Sequence, residues 1–80
     1  MYRVIFLNDN ATPMDFVIEI LISIFRHSND TARDITVEVH EQGASVVGTY
    51  TFEIAEQKAV EATTMSRSHG FPLQIKVEKE

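Results

Sequence analysis

The spacing of apolar residues along the chain predicts three β-strands. Tyr2–Leu7 combines β-branched and aromatic residues, and its apolar character becomes continuous toward its end, which is typical of a strand buried on both faces. Asn8-Asp9-Asn10 follows with turn-forming side chains that end this strand. Ala44–Tyr50 predicts a second strand, and alternation of apolar and polar residues over 73–78 predicts a third, half-buried strand.

Helical periodicity is strongest directly after the first turn. Thr12 suits the N-cap of a helix, Pro13 suits its first helical position, and Asp15 stands where a capping box has its acid. We expect this helix to end near Arg26. Apart from one narrow polar stripe its residues are apolar, which indicates a central and largely buried helix.

Two more helices are predicted on either side of the second strand. His27-Ser28-Asn29-Asp30 breaks the first helix and caps the next, which Gly43 ends. Thr51 caps a third helix, which carries alanines on one face and ends at Gly70. The predicted order is therefore β-α-α-β-α-β, an α+β fold in which the helices pack on a three-stranded sheet.

Composition limits the domain organisation and the partners. Eighty residues with 44% hydrophobic content predict one globular domain over residues 1–80, with about 4,900 Å² of accessible surface. The chain has no Cys, and its longest apolar run has four residues, so disulfides, thiolate metal sites and a membrane span are excluded. A net charge of −5 disfavours nucleic acid and anionic membranes as partners. We expect a cytoplasmic monomer.

The sequence contains no recognisable catalytic or metal-binding motif. It has no nucleophile elbow, phosphate loop or His-Glu-x-x-His, and its three histidines, His27, His40 and His69, are scattered. We therefore predict a protein that is not an enzyme and that uses no cofactor or metal.

The polar cluster Asn8-Asp9-Asn10 allows two interpretations. Local turn and capping preferences explain it alone, as a favourable contact with the helix dipole explains His40. Together with apolar residues on the first and second helices, however, these polar side chains indicate a groove with an apolar floor and a polar rim. Such a groove suits a ligand that has a positive head and an apolar side chain.

Four spaced segments of the chain resemble the ClpS adaptor family, and together they extend over essentially all of it. They are LNDNATPMDFV at residues 7–17, VHEQG at 39–43, VGTYT followed by EIAEQK at 47–51 and 53–58, and HGFPL at 69–73. The resemblance implies a non-enzymatic adaptor that binds proteins with a bulky hydrophobic N-terminal residue (Phe, Tyr, Trp or Leu). It would deliver them to the N-domain of a ClpA-type AAA+ unfoldase, which works with the ClpP peptidase. It also implies a three-stranded antiparallel sheet packed against three helices, as in the C-terminal domain of the ribosomal stalk protein.

The same resemblance assigns site residues. Asn8, Asp9 and His40 would bind the free α-amino group. The side-chain pocket would be lined by Phe6, Leu7, Thr12, Met14, Val17, Ile35, Thr36, Val39 and Leu73. Glu53 and Lys58 would contact the unfoldase, although a solvated helix face also explains charges at such positions.

Three features depart from the family pattern. Asn10 stands where an acid is frequent, Thr36 replaces a gatekeeping Met, and the N-terminal extension of the family is expected to be absent. From Thr36 we expect a pocket wall that is set back, with a hydroxyl facing the space and with aromatic first residues favoured over Leu. The alternative function is a stalk-like domain that docks translation factors and reads no N-terminus. The pair Asn8 and His40, together with Met14, favours the adaptor.

Overall fold

The computed structural model describes residues 1–80 and confirms the predicted β-α-α-β-α-β order. Its strands are β1 (Tyr2–Leu7), β2 (Ala44–Tyr50) and β3 (Gln74–Lys79). They form one antiparallel sheet in the order β2-β1-β3. Only one face of β1 is fully covered: Val4 and Phe6 have no exposed surface, whereas the other residues of the strand are half-buried. The prediction of a strand buried on both faces was therefore wrong, because the buried core lies on one side of the sheet.

The helices agree with the prediction in number and order, and differ from it at one end. They are α1 (Met14–Ser23), α2 (Asn29–Gln42) and α3 (Phe52–Ser68). Helix α1 ends at Ser23 rather than near Arg26, because Arg26 adopts a left-handed conformation with φ of 61°. The N–H of His27 then turns back to the carbonyl of Leu21, at 3.1 Å.

The cap of α1 also differs from the predicted one. Pro13 is the N-cap residue and has no side-chain bond to offer, while the Thr12 hydroxyl donates to Asp9 Oδ2 at 2.8 Å. Asp15 accepts from the N–H of its neighbour Phe16 at 3.1 Å, so no capping box forms. Helix α2 is capped as expected within the predicted break, by Ser28 Oγ accepting from the N–H of Thr31 at 3.2 Å.

The core forms between the sheet and the three helices, each of which contributes buried side chains to it. Ile20 and Leu21 of α1 have no exposed surface, as expected for the central helix. Ala55 and Ala62 of α3 are also fully buried, and their small side chains let the helix approach the strands closely. The accessible surface is 4798 Å², close to the value that the mass predicts. None of the three helices is long and apolar enough to cross a lipid bilayer.

A hydrogen bond between backbones joins the end of β1 to the end of α2. The N–H of Asn8 donates to the carbonyl of Gly43 at 2.9 Å. Gly43 is the C-cap of α2 and adopts a left-handed conformation with φ of 89°, in which its own N–H donates to the Val39 carbonyl. This bond brings the turn after β1 beside the last turn of α2, where His40 lies.

Candidate functional site

An open cavity of about 180 Å³ lies where the turn after β1 meets the start of α1 and the last turns of α2. It is lined by Leu7, Asn8, Asp9, Asn10, Thr12, Met14, Val17, Thr36, Val39, His40 and Leu73. A protein cavity of about 150 Å³ suffices to bind benzene. The space is therefore adequate for one large apolar side chain.

The structure brings the predicted α-amino and pocket residues together around this cavity, with two exceptions. Phe6 is fully buried in the core, where its ring packs edge-on against Phe25 at a centroid distance of 5.5 Å. Successive strand residues point to opposite faces, which is why Leu7 lines the cavity and Phe6 does not. Ile35 packs against the core, one residue and about 100° around α2 from Thr36. Asn10, which belongs to the polar cluster of the sequence but was not predicted to bind the α-amino group, also lines the cavity.

Asp9 organises the turn at the polar end of the cavity. Its Oδ1 accepts from the N–H groups of Ala11 and Thr12 at 2.8 and 2.7 Å, and its Oδ2 accepts from the Thr12 hydroxyl. The carboxylate therefore fixes the shape of the turn that presents Asn8 and Asn10. Its remaining lone pairs can still accept from a ligand.

These bonds determine the protonation of Asp9. Burial raises the pKa of Asp9, but the donors on Ala11 and Thr12, helped by the positive charge of Arg67, outweigh this effect and hold the pKa below its ordinary value. The carboxylate therefore remains ionised at neutral pH and keeps the turn closed.

Asn8 and His40, together with Asn10, provide free polar groups at the rim; Asn8 and His40 come from different elements. Both residues are exposed, and neither side chain hydrogen-bonds to another residue of the protein. The Asn8 amide oxygen and a neutral imidazole nitrogen can each accept a hydrogen bond. Two acceptors from different elements thus stand at the mouth of an apolar cavity.

Thr36 lines the cavity, and its hydroxyl, which we expected to face the space, is paired within α2. Oγ1 donates to the carbonyl of Ala32, one helical turn earlier, at 2.7 Å, and the residue is only 2% exposed. A buried Thr in a helix commonly satisfies its hydroxyl in this way. A ligand at this wall would therefore meet a hydroxyl that has already donated its hydrogen. Met14 lies at the exposed edge of the cavity and retains 43% of its surface.

The two predicted unfoldase residues lie in different environments outside the cavity. Glu53 is exposed in the first turn of α3, between Phe52 and Ile54, which are themselves about half exposed. Lys58 is half-buried, and its Nζ donates to the carbonyl of Ile24 beyond the end of α1, at 2.8 Å.

Lys58 also lies over two aromatic rings. Its Nζ is 5.8 Å from the ring centroid of Phe25 and 5.4 Å from that of Tyr50. Burial raises the pKa of the Tyr50 hydroxyl, so this ring remains neutral beside the ammonium. Lys58 therefore has a structural role in closing α1 against α3.

The sequence of this chain matches one family of known proteins. The family model for the ATP-dependent Clp protease adaptor protein ClpS matches residues 1–76. The ClpS adapter protein of Treponema denticola is 49% identical over 78 residues, which make up 98% of this chain and 77% of that protein. The ClpS adapter protein of Maricaulis maris is 45% identical over all 80 residues and 73% of its own length.

A solved structure is similar over nearly the whole fold. The structure of Agrobacterium tumefaciens ClpS2 bound to L-phenylalaninamide superposes with a TM-score of 0.96 at 43% sequence identity. The match covers 99% of this chain and 95% of that one. The fold and these relatives define an adaptor protein of the Clp protease system. The chain belongs to the ClpS family.

The bonding of Asp9 predicts how stability depends on pH. A carboxyl whose pKa is lowered by folding stabilises the protein above its unfolded pKa and loses this contribution as the pH falls through its folded pKa. We expect Asp9→Asn to lower the free energy of unfolding by about 1 kcal/mol at pH 7, because charge-assisted bonds become neutral ones. The difference should shrink as the pH falls below about 4, because the unfolded carboxyl becomes protonated there, and it should be lost once the pH falls through the lower pKa of the native carboxyl. Urea unfolding of both proteins across this range would measure it, and a constant difference would contradict the assignment.

The position of Lys58 predicts a loss of stability on substitution. Lys58→Met should lower the free energy of unfolding by about 1.5 kcal/mol, because the Ile24 carbonyl loses a charged donor and two rings lose a cation. Lys76→Met is the control: Lys76 is exposed and makes only a 3.5 Å surface ion pair with Glu78, so it should change stability little. Equal effects of the two substitutions in urea unfolding would show that the Lys58 contacts contribute nothing.

Proposed function

We propose that this protein binds the N-terminal residue of proteins whose first side chain is bulky and hydrophobic: Phe, Tyr, Trp or Leu. It then delivers them to the N-domain of a ClpA-type unfoldase for degradation, acting as a cytoplasmic monomer without catalysis of its own. The observation that carries the proposal is a cavity with apolar walls that is also lined by the unpaired polar side chains of Asn8, Asn10 and His40, of which Asn8 and His40 come from different elements. No Lys or Arg side chain lines this cavity to compete for an ammonium.

The chemistry of a protein N-terminus fits this rim. The α-amino group is the one backbone position with three N–H donors and a charge, and with a pKa of about 7.7–8.0 it is mostly cationic at neutral pH. Asn8 Oδ1 and a neutral His40 nitrogen would each accept a hydrogen bond from one of its N–H groups, and Asp9 adds negative charge close by. L-Phenylalaninamide, the ligand of Agrobacterium ClpS2, has the same features: a free α-amino group, an amide in place of the carboxylate and an aromatic side chain.

The energetics indicate modest affinity. Each charge-assisted bond contributes about 1.5–3 kcal/mol, and burial of a large apolar side chain contributes about 1.5–3 kcal/mol more. Lost translational and rotational freedom costs at least about 4 kcal/mol. With two or three such bonds the balance is roughly 0.5–8 kcal/mol. Its upper half corresponds to millimolar to micromolar dissociation constants, which suit an adaptor that must release what it binds.

The unfoldase surface is proposed at the start of α3. Glu53 there is exposed between two half-exposed apolar residues, Phe52 and Ile54, so a partner could combine an ion pair with apolar contact. Lys58 would support this surface from within, since its ammonium is bonded to the Ile24 carbonyl. A charge reversal at Lys58 would therefore disturb the fold as well as docking.

Blocking the α-amino group tests the proposed function directly. A short peptide that begins with a free Phe should bind, and its N-acetylated form should bind at least about tenfold more weakly, because Asn8 and His40 then face no cation. Isothermal titration calorimetry would measure both dissociation constants. His40→Ala and Asn8→Ala should each weaken binding of the free peptide, whereas Gln42→Ala, on the same turn of α2 but outside the cavity, should not. Equal binding of the free and acetylated peptides would favour a docking domain that reads no N-terminus.

Thr36 predicts the order of preference among first residues. A ring can span a cavity whose wall is set back, whereas Leu would leave a void and lose dispersion contacts. We therefore expect Phe, Tyr and Trp to bind more tightly than Leu. Thr36→Met should recover Leu binding by about fourfold for each methylene-sized contact regained and should disfavour Ile and Val.

A matched variant separates cavity size from polarity at this position. Thr36→Val removes the hydroxyl and preserves the volume, and because that hydroxyl is bonded to the Ala32 carbonyl, the peptide preferences should stay unchanged. One series of six peptides titrated against the three proteins is sufficient. If Leu binds the native protein as tightly as Phe and Thr36→Met changes nothing, Thr36 does not contact the ligand.

A further inference from the structure

The floor of the cavity is held by a side chain that does not line it. Arg67 lies in the last turn of α3, and its Nη1 donates to two carbonyls of the following loop, those of Phe71 at 2.9 Å and Leu73 at 3.0 Å. Gly70, with φ of 78°, reverses the chain so that the loop returns past the guanidinium. One nitrogen thus clamps the backbone on both sides of Pro72.

This clamp determines where Leu73 lies. Leu73 is 1% exposed, lines the cavity and immediately precedes β3. Pro72 has no N–H, so the segment before the strand has one backbone donor fewer with which to fix itself. The two bonds from Arg67 hold the carbonyls on both sides of Pro72, while the N–H of Phe71 donates to the Ser66 carbonyl at 2.9 Å.

Arg67 acts on the polar end of the site as well. Its positive charge is one of the influences that hold the pKa of Asp9 below its ordinary value. The guanidinium is therefore close enough to stabilise the ionised turn after β1 while it bonds the loop before β3. Both effects act on residues that line the cavity, although Arg67 itself does not line it.

We propose that Arg67 is a positioning residue that sets the depth of the side-chain pocket by clamping the Phe71 and Leu73 carbonyls, and so determines how strongly aromatic first residues are preferred. The proposal rests on the proposed function only for its effect on binding. The placement of Leu73 by Arg67 is a property of the free protein. A ring reaches farther from its Cα than the side chain of Leu, so a displaced floor reduces Phe binding more than Leu binding.

Two measurements on Arg67→Met test the proposal, with Arg33→Met as the matched control. Arg33 is an exposed arginine of α2 that makes no hydrogen bond or ion pair with another side chain or carbonyl, so its substitution removes the same charge without a contact. The first measurement is the methyl spectrum of the three leucines in the ligand-free proteins. The Leu73 resonances should shift in Arg67→Met and not in Arg33→Met, while those of Leu21, in the core, stay in place. The second is the ratio of dissociation constants for Leu- and Phe-initiated peptides, which should fall about fourfold, the effect of one methylene-sized contact.

The ratio distinguishes positioning from general destabilisation. Partial unfolding, or loss of a charge near the amino group, weakens both peptides by the same factor and leaves their ratio unchanged. Unmoved Leu73 resonances, or an unchanged ratio in a protein that binds both peptides, would overturn the proposal. Should the native protein bind neither peptide, the proposed function would fail, and the Leu73 resonances alone would decide whether Arg67 positions the floor.

Discussion

The hydrogen bond from the N–H of Asn8 to the carbonyl of Gly43 is the constraint on which the site depends. It fixes the end of the central strand against the C-terminus of α2, and so places Asn8 and His40, which are distant in sequence, at one cavity mouth. The bond requires Gly43 to adopt a left-handed conformation. Another residue there would incur about 1–2 kcal/mol of strain from its Cβ. The glycine that ends α2 is therefore part of the architecture of the site.

Periodicity predicted the elements well, because each strand and helix exposes a regular face to one common core. The ends of α1 were not predictable in the same way, because they depend on which local hydrogen bonds form. Thr12 has the chemistry of an N-cap, yet Asp9 offers its hydroxyl an acceptor within the turn, so Pro13 takes that place instead. Similarly, nothing in the apolar pattern indicates that Arg26 turns left-handed and ends the helix early. The prediction that Phe6 and Ile35 line the cavity was wrong. Each is adjacent in the chain to a lining residue, but its side chain points elsewhere.

Charged side chains near the site serve mainly to satisfy backbone groups. Asp9 accepts from two N–H groups, Lys58 donates to the Ile24 carbonyl, and Arg67 donates to two loop carbonyls. A domain of this size has a thin core, so apolar packing alone cannot hold all of its loops and turns in place. Unpaired backbone groups in such turns are costly, and charged partners satisfy them with stronger bonds. The free polar side chains at the cavity, those of Asn8, Asn10 and His40, therefore belong to residues that take no part in these side-chain bonds to the backbone.

This separation of paired charged side chains from free neutral ones affects how an adaptor could bind a protein and still release it. Ionised partners buried with a ligand ammonium would give strong bonds but would also carry a large desolvation cost. Under the proposed function, neutral acceptors such as Asn8 and the imidazole of His40 would be cheaper to desolvate, and the net charge of −5 would still attract a cationic N-terminus from a distance. Asn10 adds a further neutral side chain to the lining. Selectivity among first residues would then come from the shape of the cavity, whose lining includes Thr36 and Val39 on one side and Leu73. Every N-terminus carries the same ammonium group, so under the proposed function displacements of that lining would discriminate between first side chains, whereas the polar groups of the rim would not.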